Sequence, residues 1–219
     1  MTLRRDDALK ALIPHVSDDD VVVAVYQSCF DWLALNPRDL NYVAVGAMGQ
    51  ASSHALGLAL ANPDRRVFVL DGDGSLLMNL GSLVTIANAG VSNLYHFLGA
   101  NRVYEVNGAH PLPGADVVDF EAMARAAGYA GARSFSDLNQ LREGLPEVLS
   151  APGPQMSVLE IVPGQAYPRN YDYIHSAAAR ESFRKALNAR RPTPLLCREN
   201  PALRRTAAYF WTRTERREN

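Results

Sequence analysis

Val21–Tyr26 reads Val-Val-Val-Ala-Val-Tyr, six apolar residues in a row. A half-exposed strand alternates polar and apolar side chains. A β-branched run without that alternation needs cover on both faces, which a parallel sheet flanked by helices provides. Val67–Leu70 and Asn93–Gly99 are further strands of this kind, and Val43–Val45 is a shorter one ending at Gly46. Segments of helical period lie between them. Residues 6–14 carry Ala8, Leu9, Leu12 and Ile13 at helical spacing, and residues 50–61 are rich in small side chains up to Asn62-Pro63. Residues 76–89 end at the helix-stop pair Ala89-Gly90, and Asp119 caps a helix over Phe120–Ala127. A strand near Ala132–Phe135, a helix from Asp137 to Leu149 and a strand from Met156 to Val162 follow. The alternation predicts an α/β fold: a doubly wound parallel sheet with right-handed crossovers and helices on both faces. Regularity ends after Pro163. Residues 1–163 therefore read as one α/β domain, and 164–219 as a basic, aromatic-containing extension with one helix near 177–189.

A chain of 219 residues buries enough surface to hold a core without disulfides or a structural metal. Cys29 and Cys197 stand alone, with no CxxC and no Cys/His cluster, which disfavours a zinc module and fits a reducing cytoplasm. No apolar run approaches the roughly 20 residues of a membrane span, and the first twenty residues lack the apolar core of a secretory signal. The net charge of −1 conceals a division: residues 180–219 carry 11 Lys/Arg against 4 Asp/Glu. Those basic residues are scattered among Phe183, Leu187, Leu195, Leu196, Leu203, Tyr209, Phe210 and Trp211. Packing across a subunit boundary is the expectation, rather than nucleic-acid binding.

Ligands of a doubly wound sheet bind beyond the carboxyl ends of its strands. Three polar, glycine-marked features fall there: Gly46-Ala47-Met48-Gly49, Gly72-Asp73-Gly74-Ser75, and Asn101 with its loop. Taken singly, Asp73 reads as a helix cap and Asn101 as a turn residue. Together, two side-chain oxygens and a main-chain carbonyl make the hard donor set that magnesium shares with phosphate and water. No GxGxxG follows the first strand and no GxxxxGK[ST] occurs, so a nucleotide fold of either type is disfavoured.

Gly72-Asp73-Gly74-Ser75, then 26 residues ending in Asn101, with Tyr104 three further on, resembles the cofactor motif of thiamine diphosphate-dependent 2-oxoacid decarboxylases. The stretch GAMGQASSHALGLAL…DGDGSLLMNLGSL is similar to sulfopyruvate decarboxylase β subunits and the C-terminal half of phosphonopyruvate decarboxylases. The resemblance covers residues 5–163 and implies the diphosphate-binding, PP-type fold. It implies that Asp73 and Asn101 ligate Mg2+ through their side chains and Val103 through its main-chain oxygen. By the same likeness Gly74, Ser75 and Tyr104 line the cofactor, the Gly46 carbonyl accepts from the aminopyrimidine, and Met48 props the bend between the rings.

The chain departs from the family at Ala100-Asn101-Arg102, where two polar residues and a glycine are usual, and at Glu105–His110, which borders the substrate pocket. Arg102 reads either as a charge near the site or as a surface arginine pairing with Glu105 or Asp116. His110 is a candidate proton carrier, Cys29 a buried structural thiol, and Glu105 and Glu160 poor candidates for the pyrimidine-activating glutamate. That glutamate is expected on a separate pyrimidine-binding (PYR-type) subunit, in a hetero-oligomer acting on a small 2-oxoacid. A carboligase subunit of acetolactate synthase type and a non-catalytic regulatory subunit are the alternatives.

Overall fold

A computed structural model describes residues 2–43 and 48–189. Along the chain run β1 (Leu3–Arg4), α1 (Arg5–Leu12), β2 (Val21–Ala24), α2 (Tyr26–Leu35), β3 (Asn41–Val43), α3 (Ala51–Ala61) and β4 (Val67–Gly72). Then come α4 (Asp73–Met78), α5 (Ser82–Ala89), β5 (Leu94–Ala100), β6 (Val103–Tyr104), β7 (His110–Pro111) and α6 (Phe120–Ala127). The described part closes with β8 (Gly131–Phe135), α7 (Leu138–Ser150), β9 (Gln155–Val162), α8 (Tyr171–His175) and α9 (Ala177–Ala189).

Strands β3, β2, β4, β5 and β9 lie side by side in that order, all parallel. β8 and the two-residue β1 share the far edge of β9, also in parallel. The uninterrupted apolar runs are buried on both sides, as their composition requires. Val21, Val23, Val67, Val69, Leu94 and Leu98 face α3, α5 and α6. Val22, Ala24, Phe68, Leu70 and Phe97 face α1, α2 and α7. Ala51, Ala55 and Ala59 are fully buried and bring α3 close to the sheet, which explains the small-residue composition of 50–61.

The third strand is described over Asn41–Val43, and residues 44–46 of its expected range lie outside the described residues. Three sequence expectations need correction. Residues following the first strand form the ten-residue helix α2, whose apolar side chains run round most of its circumference and hide the period. The expected helix over 76–89 starts at Asp73 and is split at Asn79–Gly81. Asn79 leaves the helix there and donates its side-chain amide to the Gly49 carbonyl at 2.8 Å, and Gly81 favours helix poorly. Finally, the described part of the 164–219 extension packs on its own chain. Phe183 is buried against Tyr42 with ring centroids 5.1 Å apart, Ile174 joins the core on the other face, and Arg65 donates to the Leu187 carbonyl. Leu195, Leu196, Leu203, Tyr209, Phe210 and Trp211 lie outside the described residues. No helix among the described residues is long and apolar enough to cross a membrane.

Cys29 sits inside α2 at 1% exposure, and burial pushes its thiol up to about 12. At pH 8 its thiolate population is then about a thousandfold below that of an open thiol. A Cys197→Ser chain should react with Ellman's reagent at pH 8 only after denaturation; rapid reaction of the native chain would contradict this packing.

Candidate functional site

The chain passes from β2 outward to β3, then crosses back to β4 on the other side of β2. The strand order therefore reverses between β2 and β4, and their carboxyl ends diverge into a crevice. An open cleft of about 480 Å³ occupies it, lined among others by Tyr26, Met48, Gly72, Asp73, Gly74, Ser75, Asn101, Val103 and Tyr104. Of the eight residues that the sequence points to for the cofactor, seven line this one cleft; Gly46 lies outside the described residues.

β4 delivers Asp73 directly into the first turn of α4 with only Gly72 before it. The Asp73 side chain is not merely a cap on its own helix. Its Oδ1 accepts the Gly74 N–H at 2.8 Å, and its Oδ2 accepts the Arg102 N–H, across the cleft end of β5, at 2.7 Å. At 2% exposure, burial pushes its carboxyl above the ordinary aspartate range, against the pull of these donors. The Gly74, Arg102 and Asn101 N–H groups and the nearby Arg102 charge offset that burial only in part, and a cation would complete the compensation.

Asn101 begins the loop after β5. Its Oδ1 accepts the Val103 N–H at 3.1 Å and its Nδ2 donates to Glu105 at 3.0 Å. Arg102 follows with φ +65°, a left-handed conformation natural to glycine, the residue that the resemblance led one to expect here. Its guanidinium turns away from the cleft. It pairs with both oxygens of Glu160 at 2.8 and 2.9 Å and donates to the carbonyls of Ala115 and Val118. The expected partners Glu105 and Asp116 are therefore replaced by Glu160, and Arg102 does not itself line the cleft, although its charge still favours the Asp73 carboxylate. Glu160 is equally committed. His110 is exposed on β7, paired across the hairpin with Tyr104, and does not line the cleft. The hairpin turns it to solvent in this chain.

Ser75 Oγ accepts the Gly49 N–H at 2.9 Å, so α4 holds the turn that carries Met48. The hydroxyl hydrogen is still available to a ligand.

Sequence reading missed a second charged group. Arg5, 6% exposed at the start of α1, lines the cleft and donates Nε to Asp31 at 2.6 Å. Its Nη1 and Nη2 reach the two Glu105 oxygens at 2.5 and 3.1 Å. Burial works against its charge, and the hydrogen bonds to Glu105 and Asp31 more than offset it, raising its pKa. Arg5 lies 26 residues from Asp31 and 100 from Glu105, so no local pattern announces the cluster. Tyr26, Gln27 and Ser28, the first turn of α2, also line the cleft, with no side-chain cap on that helix end. Free N–H groups at a helix start favour an anion. The missed signal is the strand-to-helix junction at Val25-Tyr26, where Tyr26 takes φ +45°.

The fit to a diphosphate–Mg2+ pair follows from the donor chemistry. Among the described residues there is no group of three or more His, Cys, Asp or Glu arranged to hold a metal. One carboxylate and one amide oxygen beside bare glycine backbone leave most positions of an octahedral ion to phosphate oxygens and water, the habit of magnesium. The fold and cleft thus define an α/β domain whose strand-end crevice suits an anionic ligand carrying a hard cation.

Residues 25–161 match the model of the family "Thiamine pyrophosphate enzyme, C-terminal TPP binding domain", and the chain belongs to that family. It is 36% identical over 166 residues to sulfopyruvate decarboxylase subunit beta of Methanothermobacter thermautotrophicus, covering 76% of this chain and 86% of that one. It is 37% identical over 158 residues to phosphonopyruvate decarboxylase of Streptomyces viridochromogenes, covering 72% of this chain but only 39% of the relative. Benzoylformate decarboxylase from Polynucleobacter necessarius shares the fold, with a TM-score of 0.62 at 20% identity over 77% of this chain and 35% of the other.

Gly74 supplies a sharp steric test. A Cβ there would stand 2.7 Å from the Tyr104 ring. Helix propensity favours alanine by about 1 kcal/mol, whereas overpacking costs about 1–3 kcal/mol. Gly74→Ala should therefore lower stability in urea unfolding, and Tyr104→Ala in the same chain should recover part of the loss. A stabilised Gly74→Ala would show that the ring does not stand over this turn.

Proposed function

We propose that this chain is the diphosphate- and Mg2+-holding subunit of a two-component, thiamine diphosphate-dependent decarboxylase of a small 2-oxoacid, of sulfopyruvate or phosphonopyruvate type. The observation that carries the reading is the convergence of Asp73, Asn101 and Val103 on one cleft at the switch point. Its support from relatives is a match spanning 86% of a protein named as a subunit, and 39% of one not so named.

In this reading Asp73 and Asn101 give side-chain oxygens to Mg2+, and Val103 gives its main-chain oxygen. The Gly74 backbone, the Ser75 hydroxyl and the first turn of α2 hold the diphosphate. Met48 props the cofactor from below, and Val25, Tyr104 and Val106 keep water from the apolar part of the cleft. Bound thiamine diphosphate supplies the electron sink that lets a 2-oxoacid lose carbon dioxide. Among the described residues the cleft offers no free glutamate for pyrimidine activation. Glu105 is the one glutamate among the described residues that lines the cleft, and Arg5 holds it in a two-point grip. The activating group therefore comes from a PYR-type partner subunit, in a hetero-oligomer. The isolated, buried Cys29 thiol fits operation in the cytoplasm.

The test is co-purification with a candidate pyrimidine-binding subunit and assay of sulfopyruvate and phosphonopyruvate decarboxylation with thiamine diphosphate and Mg2+. Turnover is expected from the pair and not from this chain alone. Asp73→Ala should weaken cofactor binding by more than about a hundredfold. Robust turnover by the single chain would overturn the two-component reading, and failure of the wild-type pair to bind cofactor would make the subunit regulatory. Assay with and without an acceptor aldehyde separates decarboxylation from carbon–carbon ligation.

A further inference from the structure

Asn101 poses a problem that Asp73 does not. A carboxylate offers oxygen from either end, but a side-chain amide offers oxygen from one end and N–H donors from the other. A half-turn about its last bond would present hydrogens to a cation. Something has to fix the sense of that amide, and the cleft contains the means.

Glu105 Oε2 accepts Asn101 Nδ2 at 3.0 Å while the Val103 N–H donates to Asn101 Oδ1 at 3.1 Å. Both contacts demand the same orientation, and Oδ1 keeps a second lone pair. Glu105 is itself held, because Arg5 grips both of its oxygens. Arg5 is fixed in turn by Asp31, which is fully buried and whose Oδ1 accepts the Gln27 amide at 2.8 Å. The sequence Gln27, Asp31, Arg5, Glu105, Asn101 is thus one unbroken set of hydrogen bonds from helix α2 and the N-terminal segment to the loop after β5.

We propose that Glu105, clamped by Arg5 and Asp31, is a positioning residue that holds the Asn101 amide with its oxygen toward the cation. The inference rests on the reading of Asp73 and Asn101 as the Mg2+ site. It gives Glu105 a role in the cleft other than acid–base chemistry. It also makes residue 5 part of the cofactor site although it lies on the far side of the sheet order from β4.

The experiment is a double-mutant cycle on the full chain, with Mn2+ titrated in the presence of thiamine diphosphate and free ion counted by electron paramagnetic resonance. Asp73→Ala is measured first, and loss of Mn2+ binding there establishes the cation site independently of Glu105. Glu105→Ala is then made in two backgrounds, the natural Asn101 and Asn101→Asp. With Asn101, removal of Glu105 should weaken Mn2+ by about 10–100-fold, the usual cost of losing an outer-shell partner. With Asn101→Asp, no amide needs orienting, and the same removal should change affinity by less than about twofold. Glu105→Gln, which can still accept from Asn101, should recover most of the affinity. If Glu105→Ala fails to fold because Arg5 loses a counter-charge, Arg5→Met with Asp31→Asn and Glu105→Leu removes all three charges of the cluster and enters the same cycle. Equal losses in the two backgrounds would make Glu105 a merely structural residue and overturn the proposal, as would no loss in either. Unchanged Mn2+ binding in Asp73→Ala would instead remove the cation site itself, and the positioning role with it.

Discussion

The cleft depends on one buried carboxylate reaching across two strands. Asp73 leaves β4 and takes N–H groups from its own helix and from the backbone after β5, at 2.8 and 2.7 Å. Those two contacts tie the start of α4 to the loop after β5 along one wall of the cleft. Burial makes the charge costly there, so the arrangement is stable only so far as donors or a cation offset it. Placing an unsaturated anion where the sheet opens trades stability for affinity, a common bargain at binding sites.

Much of this was legible in the primary structure because glycine punctuates it. Apolar runs that end in Gly72 and Gly99 mark strand ends, and a parallel sheet brings strand ends together, so Asp73 and Asn101 were bound to be neighbours once the topology was known. The likeness of the motif spacing to a known cofactor family added the expected ligand. What stayed hidden has physical reasons. Helix α2 follows β2 without a loop and lacks a one-sided apolar stripe, so no period betrays it. β1 is two residues long and pairs only with the end of β9. The Arg5, Asp31 and Glu105 cluster joins three distant points of the chain, and side-chain pairing at that range leaves no trace in local pattern.

Arg102 shows how a departure from a family pattern can be absorbed. An L-residue in the left-handed region is strained where glycine is not. Here the side chain repays that strain through Nη2, shared between both Glu160 oxygens, through two carbonyl contacts of Nη1 and through the face of Phe120 at 5.8 Å. The cost of the substitution thus becomes an anchor for the segment from Ala115 to Val118. The charge that looked intrusive in the sequence ends up outside the cleft.

Gly49 has both halves of its peptide environment taken by the opposite wall: its N–H goes to Ser75 and its carbonyl receives Asn79. The turn bearing Met48 is therefore stapled to the two ends of α4, one of which bears Asp73. The floor and the acidic rim of the cleft are one mechanical piece, and any opening of the crevice has to come from the other side, where the first turn of α2 and the loop after β5 meet.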